Sequence, residues 1–499
     1  MATLIEQQPL YVRMPVGQKI IYTASNSAIV AAEQRVKFVA RVYITSGLPP
    51  VINSFPWSDQ PIGTFKTIPN NKGVGIFDFS DLISNYVSAD NLCTDLSTYK
   101  VRGQEGNKTF PIHVIDRFSM NTNSCIYAVI IFSIEYLDTN ITIPGFPGLN
   151  NPNYNTIVNV QGVKSRDLEI FNGYSKHTDL LQAGVQLINN SGLNYGYYFD
   201  NLELGSSTSK FLSNAPTTQW ARSGDYGTLS YSNKFDANIG IDYVSYVKFE
   251  YYPELDAGGG VLAFNDQFDR TSGTGAYDIY NAETQQMVIF FGAFPGNLRV
   301  YGTNFRTYLN AGDVKSYTIQ TFDSTDKATS EKITININCK NLKGYEQRRL
   351  TWLNQYGTWD YYTFNQKSVA TISTKGTTYS QSGGTWNESE FRIDAYKGGK
   401  KSFRVNATET IKMNSDYLSE EHSGWFEELI NSPEVYLLKR AVAPNVETLV
   451  QTYLDTLTRF VIPVRLKTSS FTKKTVANDK LIQYTIEVEK SRTLRTQSV

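Results

Sequence analysis

Residues Gly344–Ser368 read GYEQRRLTWLNQYGTWDYYTFNQKS. The stretch holds Tyr345, Trp352, Tyr356, Trp359, Tyr361, Tyr362 and Phe364, with Arg348 and Arg349 ahead of the first tryptophan and Gly357 in the middle. Each such ring buries a large apolar area, so rings this dense are rarely left to water. No catalytic signature has this form. The segment is expected to be a pair of core strands. A second reading is a subunit interface, because Trp, Tyr and Arg dominate interface energies. The two are compatible in an obligate oligomer, whose interface resembles a core cut in half. A sugar-stacking platform is the third reading.

The surrounding chain of 499 residues is too long for one core, and about two to four domains are expected. Aromatic residues make up 13% and charged residues only 19%. The abundant Tyr, Phe, Thr and Val favour pleated surfaces, and Asn, Gly and Ser favour turns, so a mainly β fold of several sandwich domains is expected. A net charge of zero argues against a general nucleic-acid surface. Cys93, Cys125 and Cys339 are too few and too far apart for a disulfide framework or a zinc site and read as reduced thiols of a cytoplasmic product. The start lacks an apolar signal region, and the longest apolar run, Ile126–Leu137, is too short to span a bilayer, so no membrane association is expected.

Along the chain, residues 1–140 read as one β-domain. In Arg35–Ile44 the even positions are apolar, the mark of a half-solvated strand. Ser80 reads as the cap of a short helix, and Ile126–Tyr136 as a buried strand. The Pro-, Gly- and Asn-rich residues 141–156 read as a boundary. A middle β-region follows over 157–340, with strands at Asp242–Glu250 and Lys332–Asn338, and its second half, from about 260, reads as a possible second sandwich. The last region, 341–499, is expected to hold strands at 359–374, 390–396, 401–411, 434–440, 459–467 and 480–489. Its single helix is expected to open at Ser415, to carry Leu418, Trp425, Leu429 and Ile430 on one face, to weaken at Gly424 and to end at Pro433.

The chemistry-bearing residues are sparse. His113 lies in an alternating stretch and reads as a structural histidine; His177 and His422 are the others, and no nucleophile elbow or HExxH motif accompanies them. Gly258–Gly260 reads as a flexible turn, not a phosphate loop, and Asp266 and Asp269 lack the spacing of a calcium loop. Glu427–Glu428 reads as a solvated helix face. The basic end, Lys490–Thr496, reads as a disordered tail or one that reaches a neighbouring subunit, and Lys473–Lys474 as a loop pair that would suit a DNA-lined channel. No catalytic residue, cofactor or metal is expected.

Two segments carry a family resemblance. The pattern R-x-L-x-W-L-N-x-Y-G-x-W-D-Y-Y-x-F over Arg348–Phe364, and the ending Trp425–Leu437, Ile462–Val464, Ser470–Lys474 and Asn478–Glu489, resemble segments of virion structural proteins of crAss-like, short-tailed bacteriophages of Bacteroidetes. The order Phe77-Asp78-Phe79-Ser80-Asp81-Leu82-Ile83 is similar to the same group. The resemblance implies a tail or neck ring protein of the virion, assembled in the host cytoplasm, with a C-terminal module like a phage tail tube: a β-sandwich with one packed helix. It implies a homo-oligomeric ring of twelve-fold or, second, six-fold symmetry. Portal, adjacent rings and tail components would be its neighbours, and DNA would pass through without sequence-specific binding. A carbohydrate- or receptor-binding tail protein is the alternative.

Overall fold

The computed structural model describes residues 3–9, 13–45, 60–89, 92–93, 110–115, 118–120, 123–138, 156–174, 185–187, 204–232, 244–269, 288–337, 344–393, 395–420, 422–438, 461–470, 472, 482–492 and 494–498. As the composition implies, the chain is mainly β, in several multi-stranded sheets. His177, Cys339 and Lys473–Lys474 lie outside the described residues.

The N-terminal unit faces a four-stranded sheet (Val185–Leu187, Leu4–Pro9, Ile21–Ser25, Val74–Asp78) against a six-stranded one centred on Cys125–Asp138. Tyr22, Ala24 and Phe77 of the first sheet share a core with Phe38, Ala40, Val42, Ile130, Phe132 and Ile134 of the second. The strand Gln34–Thr45 buries Val36, Phe38, Ala40 and Val42 as its alternation predicts, but Val39 and Tyr43 are buried too, so the strand is covered on both faces there. The helix Ser80–Ser84 begins one residue earlier than expected. Ser80 lies inside it, and the Asp78 carboxylate accepts from Ser80 N–H at 3.0 Å and Ser80 O–H at 2.6 Å. Asp78 thus satisfies a free amide at the start of the helix, one that a Ser80 cap, which serves amides two or three residues on, would not reach.

The middle unit packs the sheet Thr218–Ala221, Ile333–Ile337, Ser316–Phe322, Tyr246–Tyr252, Asp266–Asp269 against Thr228–Ser232, Val288–Gly292 and Phe118–Met120. Its two halves interleave in these sheets, so the region forms one sandwich, not two. The expected boundary at 141–156 also needs correction. Thr156–Lys164 and Leu168–Phe171, beyond it, pair with Cys125–Asp138, before it, while Phe118–Met120 crosses into the middle unit. Strand pairing joins whichever segments share a hydrophobic face, whatever the loops between them look like.

Residues 348–498 build an eight-stranded sheet in the order Trp359–Phe364, Arg348–Leu353, Val435–Leu438, Val461–Leu466, Thr485–Lys490, Gly399–Asn414, Ser368–Gln381, with Arg495–Ser498 added beside Gly399–Asn414. The basic end is therefore in part a strand of its own sheet, not a disordered tail. The expected strand 359–374 is broken between Phe364 and Ser368. The expected strand 390–396 is absent among its described residues, which bend within the loop of a long hairpin. In that hairpin all 14 residues of Ser368–Gln381 pair with Gly399–Asn414, and residues 369–378 are exposed on both faces. It leaves the sheet as an arm.

The helix runs His422–Asn431, seven residues later than expected at its start. The Ser415 hydroxyl is engaged elsewhere, accepting from Tyr484 N–H at 2.9 Å and donating to Asp416 C=O at 2.8 Å, and Leu418 forms a bridge with Ile482 instead of joining the helix. Gly424 falls in the first turn, where amides lack intrahelical partners anyway, so it does not break the helix.

Two glycines separate strain from close approach. Gly312 has φ +80° and open space around it, whereas Gly357 has φ +73° and a Cβ there would lie 2.1 Å from the Asn172 carbonyl oxygen. Gly312→Ala is expected to lower stability by about 1 kcal/mol, and Gly357→Ala by several times that, in chemical denaturation. Equal losses would mean that the Gly357 turn is not pressed against Asn172.

Candidate functional site

The aromatic segment is a hairpin. Arg348–Leu353 pairs antiparallel with Trp359–Phe364, and Asn354–Thr358 makes the turn. The Asn354 side-chain oxygen accepts from Tyr356 N–H at 3.0 Å and Thr358 N–H at 3.1 Å, which holds the turn shut. The hairpin is buried on both faces. Leu353, Tyr356, Trp359 and Tyr361 enter the core of the middle sandwich. Leu350, Trp352 and Phe364 enter the C-terminal core, beside Trp425, Phe426 and Leu429 of the helix. This explains the continuous run of rings in the sequence, since a strand with two buried faces has no solvent side on which to place polar residues.

The expected site residues therefore divide. Trp352, Tyr356, Trp359, Tyr361, Phe364 and Trp425 are buried; Trp352 and Trp425 stack obliquely with centroids 5.1 Å apart. Tyr362 is half-buried and touches Trp425 and Phe426 edge to face. Tyr345 and Arg348 are half-exposed, Arg348 pairing with Glu346 at 2.5 Å. Arg349 is buried. Its Nε donates to Tyr226 C=O at 2.8 Å, its Nη1 donates to Thr363 O–H at 2.8 Å and lies 3.6 Å from Asp225, and its guanidinium sits 4.5 Å from the Phe294 ring centre.

Two polar residues of this centre, Asp360 and Asp225, were not singled out from the sequence, and a third, Glu428, was read differently. Asp360 is buried and accepts from Ser213 O–H at 2.6 Å, Asn354 Nδ2–H at 3.1 Å and Trp425 Nε1–H at 2.7 Å, so one carboxylate ties the middle sandwich, the hairpin and the helix together. Glu428, read as a solvated helix position, is buried and accepts from Asn214 Nδ2 at 2.5 Å and Gln355 N–H at 3.3 Å. Asp225 accepts from Thr363 O–H at 2.9 Å. No motif marks them, because their partners are remote in sequence.

His113 is buried on a 3-10 turn, not on the alternating strand expected. Its Nδ1 lies 2.8 Å from the Tyr361 hydroxyl, and its ring meets Trp359 edge to face. Burial, aided by the Arg349 charge, pulls its pKa down to about 3. Asp266, weighed above as a calcium ligand, instead accepts from Phe305 N–H at 2.9 Å, Asn304 N–H at 3.3 Å and Tyr251 O–H at 2.6 Å, capping the helix Thr303–Ala311 from a neighbouring strand. Among the described residues no group of three or more His, Cys, Asp or Glu is placed to hold a metal, and no helix is long and apolar enough to cross a membrane.

Beside the hairpin opens a cleft of about 900 Å³ between the middle and C-terminal units. Its walls include Thr218, Gln219 and Trp220 on one side and Tyr361, Tyr362 and Thr363 on the other, with Tyr417 and Trp425 nearby. The sequence matches no family model and no curated protein.

Burial pushes the Asp360 carboxyl up from 3.8 to about 6, against the three donors that favour its charged form. Between about pH 3.8 and 6 the folded chain holds a proton there that the unfolded chain has released, so acid adds stability. His113 acts oppositely between about pH 6.5 and 3, where the unfolded chain binds a proton that the folded chain refuses. From about pH 7 to 4 each is worth on the order of 3 kcal/mol, in opposite directions. Asp360→Asn is expected to make stability fall by about that amount over this range, and His113→Gln to make it rise. Parallel pH profiles for the two variants and the natural chain would contradict this assignment.

Trp425→Ala opens a cavity beside Trp352 and removes a donor from Asp360. A loss of about 3–5 kcal/mol is expected by chemical denaturation; a variant that unfolds like the parent would show that the helix is not part of this core.

Proposed function

We propose that this chain is a structural, non-enzymatic component of a bacteriophage virion, a tail or neck protein that forms a closed ring around the DNA channel between portal and tail tip. What supports the reading is that the two segments said above to resemble phage proteins meet in one core: Trp352 of the hairpin lies against Trp425 of the helix, and Val435–Leu437 of the second segment pairs directly with Leu350–Trp352 of the first. Around these contacts the C-terminal strands and the helix share one apolar core, which suits the module that the resemblance implies. A polar centre made of Asp360, Glu428 and Arg349 then locks this body to the sandwich before it, giving a rigid unit of the kind a ring needs.

Assembly is the mechanism. Sheet edges such as Ser368–Gln381 have no partner on one side among the described residues, and rotational closure gives every copy the same cover. A net charge of zero opposes close packing of identical subunits only weakly and lets DNA pass without strong adhesion. The receptor- or carbohydrate-binding alternative draws on the exposed rings of Trp220 and Tyr417 at the cleft.

Averaged electron-microscope images of the purified full-length protein test the reading. Twelve-fold rings are expected, six-fold rings second. A three-fold particle with affinity on a glycan array would replace the ring by the receptor-binding protein.

A further inference from the structure

The cleft beside the hairpin is bounded by two strand edges. Thr218–Ala221 ends the five-stranded sheet, and Trp359–Phe364 ends the eight-stranded one. Three consecutive residues of each, Thr218–Trp220 and Tyr361–Thr363, line the cleft. Successive side chains of a strand point to opposite faces, so three in a row at one wall place the strand's edge there. The cleft is therefore a slot between two edges, rimmed by the half-exposed ring of Trp220 and by Tyr417, which is 61% exposed.

The same chain presents a matching knob. At the end of the arm, Trp386 and Phe391 meet edge to face at 5.2 Å, and the loop is closed by Thr385 N–H to Arg392 C=O at 3.1 Å, Arg392 N–H to Thr385 Oγ1 at 2.8 Å and Thr385 O–H to Glu390 C=O at 2.7 Å. Yet Trp386 is 72% and Ile393 83% exposed. Of the 18 large apolar side chains exposed among the described residues, Val369, Ile372, Trp386, Phe391, Ile393, Tyr396 and Phe403 lie on the arm and Trp220, Leu255 and Tyr417 at the cleft, which makes 10. Exposed apolar surface so concentrated marks an interaction site.

We propose that the arm tip of one copy seats in the cleft of a second copy, Trp386, Phe391 and Ile393 filling the space between the two strand edges. The arm cannot fill its own cleft. It begins at Ser368 paired with Met413, next to Gln366 and Asp416 of the cleft wall, runs as the sheet's edge to Thr377 and leaves the sheet beyond it, and its far end is Gln381 paired with Gly399. At about 3.3 Å per residue, the tip lies roughly 40 Å from the cleft of the same chain. A second copy supplies both halves of the match without another protein. The contact joins two different surfaces, so it propagates head to tail and closes into a ring when its rotation divides a full turn. The proposal rests on the ring reading for that closure, but not for the contact itself.

The test uses the full-length chain with Cys93 and Cys339 replaced by Ser, carrying either Ile393→Cys or Trp220→Cys, each purified alone. Mixing and oxidation are expected to give a disulfide-linked product of about 112 kDa, twice the 56.2 kDa chain, far more abundantly than either protein gives alone. The double variant Trp386→Asp/Ile393→Asp, whose side chains are 72% and 83% exposed, is expected to weaken self-association at least ten-fold by sedimentation while melting like the parent. No mixed product, or a double variant that assembles as well as the natural chain, overturns the contact. Rings that still form with the double variant leave the ring reading standing and remove the arm. Cross-linked open filaments without rotational symmetry support the contact and remove the ring.

Discussion

The buried carboxylate of Asp360 is the constraint around which the chain is arranged. Its three donors come from the middle sandwich, from the turn of its own hairpin and from the C-terminal helix. A buried charge is costly unless hydrogen-bonded on all sides, so the three bodies must meet in one geometry to satisfy it. The turn that carries Asn354 is in turn pressed onto the N-terminal sandwich at Asn172 and Gly173, with Tyr174 N–H donating to Gln355 C=O at 2.9 Å. Three units thus converge on five turn residues.

Apolar burial supplies the energy and the polar centre supplies the specificity. Each buried ring of the hairpin removes roughly 150–250 Å² from water, and rings alone would tolerate several packings of similar energy. Arg349, held by Tyr226, Thr363 and the ring of Phe294, and Glu428, held by Asn214 and Gln355, each accept only one arrangement. Removing a partner would leave a buried charge uncompensated, so alternative packings are disfavoured by more than their lost contacts. A rigid joint of this kind is what a subunit needs if an arm tens of ångströms long is to reach a neighbour at a defined angle.

The arm differs in character from everything else. Most of its residues face water on both sides, and a two-stranded ribbon without a covered face is marginal by itself. It is steadied by Thr485–Lys490 and Arg495–Ser498, which pair within Arg404–Asn414, while the part beyond Arg404 depends on its own ladder and the bonded loop at its end. Stability therefore falls along the arm from root to tip, leaving the apolar tip the least constrained part of it.

By itself the sequence determined the element types and the identity of the central hairpin. Period-two apolar residues in Gln34–Thr45, the apolar run within Cys125–Asp138 and the rings around Trp352 and Trp359 record local burial, and local burial follows from side-chain chemistry. It also located the helix near Trp425, though not its start, because Ser415 is a good cap in isolation and only the nearby Tyr484 amide draws its hydroxyl away. What tertiary structure decided is everything that depends on partners far along the chain. Asp360 finds Ser213 across 147 residues and Trp425 across 65, and His113 finds Tyr361 across 248. Which strands share a sheet across 141–156, and which strand edges stay open at the cleft, were settled in the same way. A polar side chain's role is set by what the fold brings to it, and its own sequence neighbourhood carries no trace of that.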